Sequence, residues 1–376
     1  MNSTFRIDTT DFSVDLGDSS NTAEFTVRSF PKNYRVAFFR HISDLLASEN
    51  FDRVPVIVDV NVYSIFERDF ANLRGPIFEV SPIESNKSAE TALQIVEFLD
   101  TNGVNKGSGA LAIGGGIVQD LAGFACGIFK RGVPWSYVPT TLLGQADSCV
   151  GGKTGLNFNG KKNVVCSFSA PDSVLICPEF IPTLSEADIR CGLGEMFRLA
   201  ITGGYEAFER FEAFLNSGKP ITIDCIADSL SVKKAVVEFD EYELNERRAM
   251  NLGHTIGHAV EAATSHKVPH GVSVAFGIGV EALMARDLLT IPQSDLERII
   301  SCARSLISEE DLNNIKEVNS SRLFEALATD KKMIGESLSF ALLRGIGNIH
   351  FHPVKIQSQF QEVTKKVSEF LTSFED

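Results

Sequence analysis

Four of the chain's seven histidines fall within residues 251–270, NLGHTIGHAVEAATSHKVPH. His254 and His258 are four positions apart, and His270 follows just past an expected helix end. Side chains four apart share one helix face, so two imidazoles point the same way beside a third. Imidazole and carboxylate donors suit zinc and similar borderline metals, and a catalytic centre keeps one coordination position open. The spacing resembles the HExxH pattern of zinc proteases, but Thr255 follows His254, so the glutamate base is missing. The competing reading is core or surface histidines with no ligand role. Their crowding into one segment weighs against it.

A second chemical signal lies further forward. The strand-like ALAI runs into Gly114-Gly115-Gly116, and an expected helix over 117–129 leaves it. A glycine-rich strand-to-helix turn lets backbone amides approach a pyrophosphate at the helix N-terminus. GGGIVQD is not the GxGxxG fingerprint, so a tight turn that needs glycine is an equal reading. Asp59, after VPVIV, is placed to bond a ribose hydroxyl or to cap a helix or turn. The cluster Gly151-Gly152-Lys153-Thr154 is not a P-loop, because the required first glycine falls at Asp147. Arg131, Lys153, Lys161, Lys162, Arg198, Lys233, Arg247, Lys331 and Lys332 lie in apolar or glycine-rich contexts. Charges in such surroundings need partners, and as a group they point to a phosphate and carboxylate pocket.

These residues need a frame. Residues 35–39 and 54–58 read as short strands, and 89–99 has helical periodicity. Strands alternating with helices argue for a parallel sheet. Beyond about residue 182 helical patterns take over, at 186–202, 205–215, 226–243 and 294–306, with a closing amphipathic helix over 356–374. The expected organisation is an α/β nucleotide-binding domain over 1–182 and a mostly α-helical metal- and substrate-binding domain over 183–376. The 376 residues suit two domains, and 44% hydrophobic with 22% charged residues is ordinary globular composition. A net charge of −14 argues against a sequence-independent grip on nucleic acid or anionic lipid. The seven cysteines show no CxxC spacing, which fits reduced thiols in a cytoplasmic protein. No signal peptide is expected at MNSTFRIDTTDF. The best apolar run, 274–285, is interrupted by Glu281 and is too short to span a membrane.

Three segments together carry a resemblance: GGGIVQDLAGFACGIFKRGVPWSYVPTTLLGQADSCVGGKTGLNFNGKKN, KKAVVEFDEYELNERRAMNLGHTIGHAVE and DKKMIGESLSFALLRGIG. In this order, across roughly residues 59–347, they resemble 3-dehydroquinate synthases and related sugar phosphate cyclases. The resemblance implies an NAD-dependent, zinc- or cobalt-requiring homodimeric lyase of dehydroquinate synthase-like fold. It implies metal ligands Glu195, His254 and His270, with Glu195 drawn from GLGEMF. It places NAD against Asp59, Glu84, Lys87, Gly115, Gly116, Asp120, Thr140, Thr141, Lys162 and Thr183. Catalytic and substrate contacts are implied at Asp147, Lys153, Asn163, Arg198, Lys233, Arg247, Asn251 and His258. Lys332 adds a phosphate contact, with Lys331 as its substitute, and Arg131 reaches in from the partner subunit. His258 thereby becomes a substrate- and proton-handling residue.

Lys233 and Arg247 match the pair that holds the substrate carboxylate in dehydroquinate synthases, which favours 3-deoxy-D-arabino-heptulosonate 7-phosphate over carboxylate-free sugars. Three positions depart from the family pattern. Arg198 stands where it has lysine (GxxEVIK against GLGEMFR), and Asn245 replaces a common glycine before Arg247. Gln119 replaces the glycine before Asp120, which puts a side chain near the expected nucleotide. GLNFNGKKN has some character of epi-valiolone synthases. The runner-up is therefore a cyclase of secondary metabolism, of the epi-valiolone, aminodehydroquinate or 2-deoxy-scyllo-inosose synthase type. An iron-type alcohol dehydrogenase would share the glycine turn and a histidine-rich metal site, but would turn over NADH.

Overall fold

The computed structural model describes residues 1–17, 23–49, 51–328, 333–334 and 337–375. The chain forms two compact units, one of Met1–Leu16, Ser185–Pro220 and Ser231–Asp376, the other of Gly17–Leu184 with Ile221–Leu230. It opens with an antiparallel hairpin, β1 (Asn2–Ile7) and β2 (Thr10–Asp15), which belongs to the first of these.

The other unit follows. Its elements are β3 (Glu24–Val27), β4 (Tyr34–Phe38), α1 (Ile42–Ala47), β5 (Val56–Asp59), α2 (Val60–Ile65), β6 (Ile77–Val80), α3 (Ala89–Thr101), β7 (Ala110–Gly114), α4 (Gly116–Ile128) and β8 (Trp135–Pro139). A single π-helical turn, Gly144–Ser148, then leads to the hairpin β9 (Lys153–Phe158) and β10 (Lys161–Phe168), and to β11 (Ser173–Ile176). Seven strands form one sheet in the order β3-β4-β11-β8-β7-β5-β6. Every neighbouring pair is parallel except β3 with β4. Every residue of β5 and β7 is buried, as expected of strands covered on both faces. One core joins Val56, Val58, Leu111, Ile113 and Val138 of the sheet to Ile42, Leu45, Phe70 and Phe180. The expected strands at 35–39 and 54–58 and the helix at 89–99 all appear within two residues.

The remaining elements are α5 (Glu186–Thr202), α6 (Tyr205–Ser217), α7 (Ile223–Phe239), α8 (His254–Ala263), α9 (His270–Leu288), α10 (Gln293–Ser305), α11 (Glu309–Lys316), α12 (Ser320–Ala328), β12 (Met333–Ile334), β13 (Ser337–Gly345), β14 (Asn348–Lys355) and α13 (Ile356–Thr372). Helix α9 is buried from Gly271 to Ala285 and packs against α5, α8, α10 and α13. That setting explains the long apolar run: a helix that is apolar all round belongs inside a protein. No helix among the described residues is long and apolar enough to cross a membrane.

The sequence reading divides the chain once, at 182/183. The structure instead draws residues 1–16 into the unit built from the later chain. Strand β1 lies parallel to β14 in a sheet of order β12-β13-β14-β1-β2, and buried Ser3 donates to Gly203 O at 2.6 Å. Alternation in the first residues signals a strand, but its partner lies more than 340 residues away, where no local pattern can point.

Candidate metal centre and nucleotide turn

Helices α5, α8 and α9 bring three donors together because glycines let their backbones nearly touch. A Cβ on Gly194 would lie 1.9 Å from Gly271 O, and one on Gly271 would lie 1.8 Å from Cys191 O. Glu195 and His270 follow from that contact. Gly253, at φ 76°, ends the loop before α8 and turns His254 inward. Glu281, 1% exposed on α9, accepts from Gly253 N at 2.6 Å and Ile256 N at 3.5 Å. A buried carboxylate thus caps α8, satisfying amides that no local side chain reaches.

Glu195 Oε1 lies 3.5 Å from His254 Nε2 and 3.2 Å from His270 Nε2. His254 Nδ1 lies 3.2 Å from Leu252 O, and His270 Nδ1 lies 3.0 Å from Glu261 Oε2. With hydrogens on Nδ1 for these acceptors, both Nε2 lone pairs face the same point as Oε1, the tautomer a metal ligand requires. His258 completes a cluster of three rings whose ligand atoms lie within 4.8 Å of one another. It is exposed, with its ring centroid 5.2 Å from His254 and 5.5 Å from His270.

Glu195 Oε1 is buried and has no hydrogen-bond partner. An orphaned carboxylate oxygen costs free energy that a cation would recover, so the donor set fits a divalent ion held by Glu195, His254 and His270. Burial opposes ionisation of Glu195, but Arg198, His254 and His270 outweigh it and hold its carboxyl well below the usual range. Burial pushes His254 well below its ordinary value, against the pull of Glu195, and so favours the neutral ligand form. Burial also lowers His270, but pairing with Glu195 and Glu261 prevails and carries it up to about 10, so in the metal-free protein its Nε2 holds a proton that an ion must displace.

The residues around this centre are braced. Arg198 is 2% exposed; its Nε donates to Glu195 Oε2 at 2.6 Å and its guanidinium to Met250 Sδ at 3.1 Å. Lys233 and Arg247 are also buried. Asp240 accepts from the amides of Leu244, Asn245 and Arg247 at 2.9, 2.7 and 3.1 Å. The loop is therefore set before Arg247 donates to Glu241 O. Asn251 donates to Glu243 Oε1 at 2.8 Å. Glu261 spans His270 and His266, with His266 Nδ1 3.0 Å from its other oxygen.

In the α/β unit, β7 runs through Gly114 into α4, whose N-terminus no side chain caps. A Cβ on Gly114 would lie 2.6 Å from Val118, and one on Gly115 2.8 Å from Thr141, whereas one on Gly116 would meet open space. The turn thus packs tightly behind and stays open in front of the helix, which suits a pyrophosphate. Lys87 pairs with Asp120 at 2.5 Å and donates to Asn163 Oδ1 at 2.6 Å. Burial raises Asp120, and Lys87 opposes it. Glu84 accepts from Asn157 at 2.7 Å, Thr141 Oγ1 from Gly144 N at 3.0 Å, and Thr183 donates to Phe180 O. Thr140 is buried, while Arg131, Lys153 and Lys162 are exposed. Asp147 sits in the π-helical turn.

Asp59 Oδ1 accepts from Asn61 N at 2.8 Å and Val62 N at 3.4 Å and so caps α2. One reading changes here. Gln119 does not project toward the glycine turn. It exchanges two hydrogen bonds with Ser148, at 2.7 and 2.6 Å, and ties α4 to the turn that carries Asp147. Lys331 and Lys332 lie outside the described residues.

Two family models match in tandem: the 3-dehydroquinate synthase N-terminal model over residues 77–191 and the C-terminal model over 192–333. A 3-dehydroquinate synthase of Caldanaerobacter subterraneus subsp. tengcongensis is 33% identical over 344 residues, covering 88% of this chain and 96% of the relative. The chain belongs to the 3-dehydroquinate synthase family. Two solved structures share the fold. One is a 2-deoxy-scyllo-inosose synthase complexed with carbaglucose-6-phosphate, NAD+ and Co2+, with a TM-score of 0.79 at 22% identity, covering 90% of this chain and 98% of that one. The other is the 2-epi-5-epi-valiolone synthase of Streptomyces hygroscopicus subsp. jinggangensis with NAD+ and Zn2+, also at 0.79, with 23% identity and coverages of 92% and 99%.

Within this family fold, sequence reading missed Glu243, Glu261 and Glu281. Glu281 had a signal, since a lone carboxylate in an apolar helix needs a buried partner. Glu261 sits one helical turn after His258, on the face that carries both helix histidines. Glu243 was one acid among several in EFDEYELNERR.

Proposed function

We propose that this chain converts 3-deoxy-D-arabino-heptulosonate 7-phosphate to 3-dehydroquinate and phosphate, using NAD and Zn2+ or Co2+. The observation that carries the reading is the buried Glu195 Oε1, which has no hydrogen bond and faces the Nε2 atoms of His254 and His270. When bound, the ion supplies Lewis acidity to a substrate oxygen and NAD supplies reversible hydride acceptance.

The chain's own residues do the rest. Glu261 and Leu252 O hold the two ligand imidazoles in one tautomer. Lys233 and Arg247 take the substrate carboxylate, Arg247 from a loop pinned by Asp240, and Asn251 is oriented by Glu243. His258, exposed beside the ligands, handles a proton in ring opening and aldol closure. With NAD supplying and recovering one hydride, the phosphate would leave with its own oxygen taking the proton of the neighbouring C–H. Atoms balance with no net redox change.

The cofactor is assigned to the Gly17–Leu184 unit, at the glycine turn with Asp59, Glu84, Lys87, Asp120, Thr140, Thr141, Lys162 and Thr183. Lys153, Asp147, Asn163 and Lys332 complete the phosphate and substrate contacts. The active form is a homodimer to which Arg131 contributes across the interface. Exposed Phe158, Val164 and Phe168 on the β9–β10 hairpin supply an apolar face for a second copy. Seven free cysteines suit a reducing cytoplasm.

Another sugar phosphate cyclase of secondary metabolism, of the epi-valiolone, aminodehydroquinate or 2-deoxy-scyllo-inosose synthase type, is the second reading, favoured by Arg198 and Gln119 where the family pattern has lysine and glycine. Purified protein with NAD and Zn2+ is expected to release phosphate from the heptulosonate phosphate without accumulating NADH. Phosphate release only from sedoheptulose 7-phosphate or glucose 6-phosphate would move the assignment to the second reading. Net NADH formation would point to an alcohol dehydrogenase instead.

A further inference from the structure

We infer that Arg198 is a positioning residue that confines Glu195 to one-oxygen donation through Oε1. The two side chains are each 2% exposed and meet at 2.6 Å, Nε to Oε2. The other oxygen, Oε1, is left without a hydrogen bond and faces the Nε2 atoms of His254 and His270. The two carboxylate oxygens therefore have separate tasks, one bound to a guanidinium and one aimed at the imidazoles.

A carboxylate that chelates must bring both oxygens to about 2.0–2.2 Å from a zinc-sized ion. Here that would break the Nε–Oε2 bond, a 2.6 Å contact between two buried charges, which is costly. Rotation of the guanidinium is limited as well, because its other arm lies 3.1 Å from Met250 Sδ. A lysine at this place would differ. Its ammonium is a point charge on a flexible stem, free to follow the carboxylate, whereas the Nε–H of arginine is set in the plane of the fork. Arg198 thus holds the protein's share of the coordination at three atoms and keeps positions open for substrate oxygens. It also draws charge from Glu195, which leaves a bound ion more electrophilic.

This inference rests on the metal role given to Glu195, His254 and His270, and the test separates the two. Metal-free protein is loaded with Co2+ and studied by X-ray absorption and visible spectroscopy, with no substrate or turnover. Wild type is expected to show a single carboxylate oxygen and the intense visible band of a four- or five-coordinate ion. Arg198→Gln is expected to gain one metal–oxygen contact and to lose band intensity, and Arg198→Lys to fall between. A chelating carboxylate in wild type, or an unchanged spectrum in both variants, overturns the inference while the metal site stands. Failure of wild type to bind Co2+ overturns the metal reading as well. Because the wild-type spectrum decides by itself, poor folding of Arg198→Gln does not rescue the idea.

Discussion

The two chemical regions of this chain are built in opposite ways. The candidate metal centre is assembled from buried and half-buried side chains that are distant in sequence, and nearly every one is braced by another. Glu281 caps the helix that carries His254, Glu261 holds His270, and Arg198 holds Glu195. The nucleotide turn is local and mostly backbone, with three consecutive glycines, an uncapped helix N-terminus and polar neighbours already bonded to one another. The first has the braced donors that suit a small, highly charged ion. The second is a surface shaped by what it lacks, where a large cofactor displaces little. Substitutions should therefore propagate in the braced centre and stay local at the turn.

The largest effect is expected for Glu195→Ala, which removes a proposed ligand and the carboxylate paired with buried Arg198. Removing one member of a buried pair costs about 3–5 kcal/mol, so both denaturant stability and metal binding should collapse. Glu281→Ala ranks next, at roughly 1–3 kcal/mol for amides left unsatisfied. Its weakened metal binding should be seen in titrations of folded protein, because α8 carries His254. Glu261→Gln should lower metal affinity by about 10–100-fold with little change in melting temperature. Gly116→Ala should be smallest in stability, within about 0.5 kcal/mol, yet should weaken NAD binding by calorimetry. If Gly116→Ala instead destabilised the fold as much as Glu281→Ala, the contrast between braced centre and surface would fail.

Acidity sharpens the same contrast. His270 is raised from 6.5 to about 10, burial being outweighed by Glu195 and Glu261. A raised folded-state value stabilises below the unfolded value, so in metal-free protein this contribution is full below pH 6.5 and lost as pH rises through about 10. A metal must displace that proton, so affinity should strengthen over the same window. Melting of metal-free protein should fall from neutral toward alkaline pH, while metal-loaded protein should stay flatter. Equal pH profiles for the two forms would contradict the placement of His270.

Much of the frame was legible because its signals are local. Helix α5 occupies the expected 186–202, opened by a Ser185 cap and closed at Gly203. The histidine spacing was equally local. Glu195 was not, and it entered only through resemblance, since nothing near GLGEMF points toward residue 254. The sheet that joins β1 to β14 was hidden by its sequence separation. Glu261 and Glu281 were hidden because packing of α8 against α9, rather than any motif, gives each its partner. Gln119 shows the converse: its nearness to a nucleotide was a fair reading of position, but Ser148 offers both a donor and an acceptor and takes the side chain.

The central claim is a division of labour among the clustered rings: Glu195, His254 and His270 hold the ion, and His258 does not. Calorimetric titration of Zn2+ into metal-free wild type, Glu195→Gln, His270→Ala and His258→Ala tests it directly. The expected result is one ion per chain in wild type and His258→Ala, and loss of binding in the other two. Retained binding in Glu195→Gln together with loss in His258→Ala would mean a three-histidine site and would contradict the account.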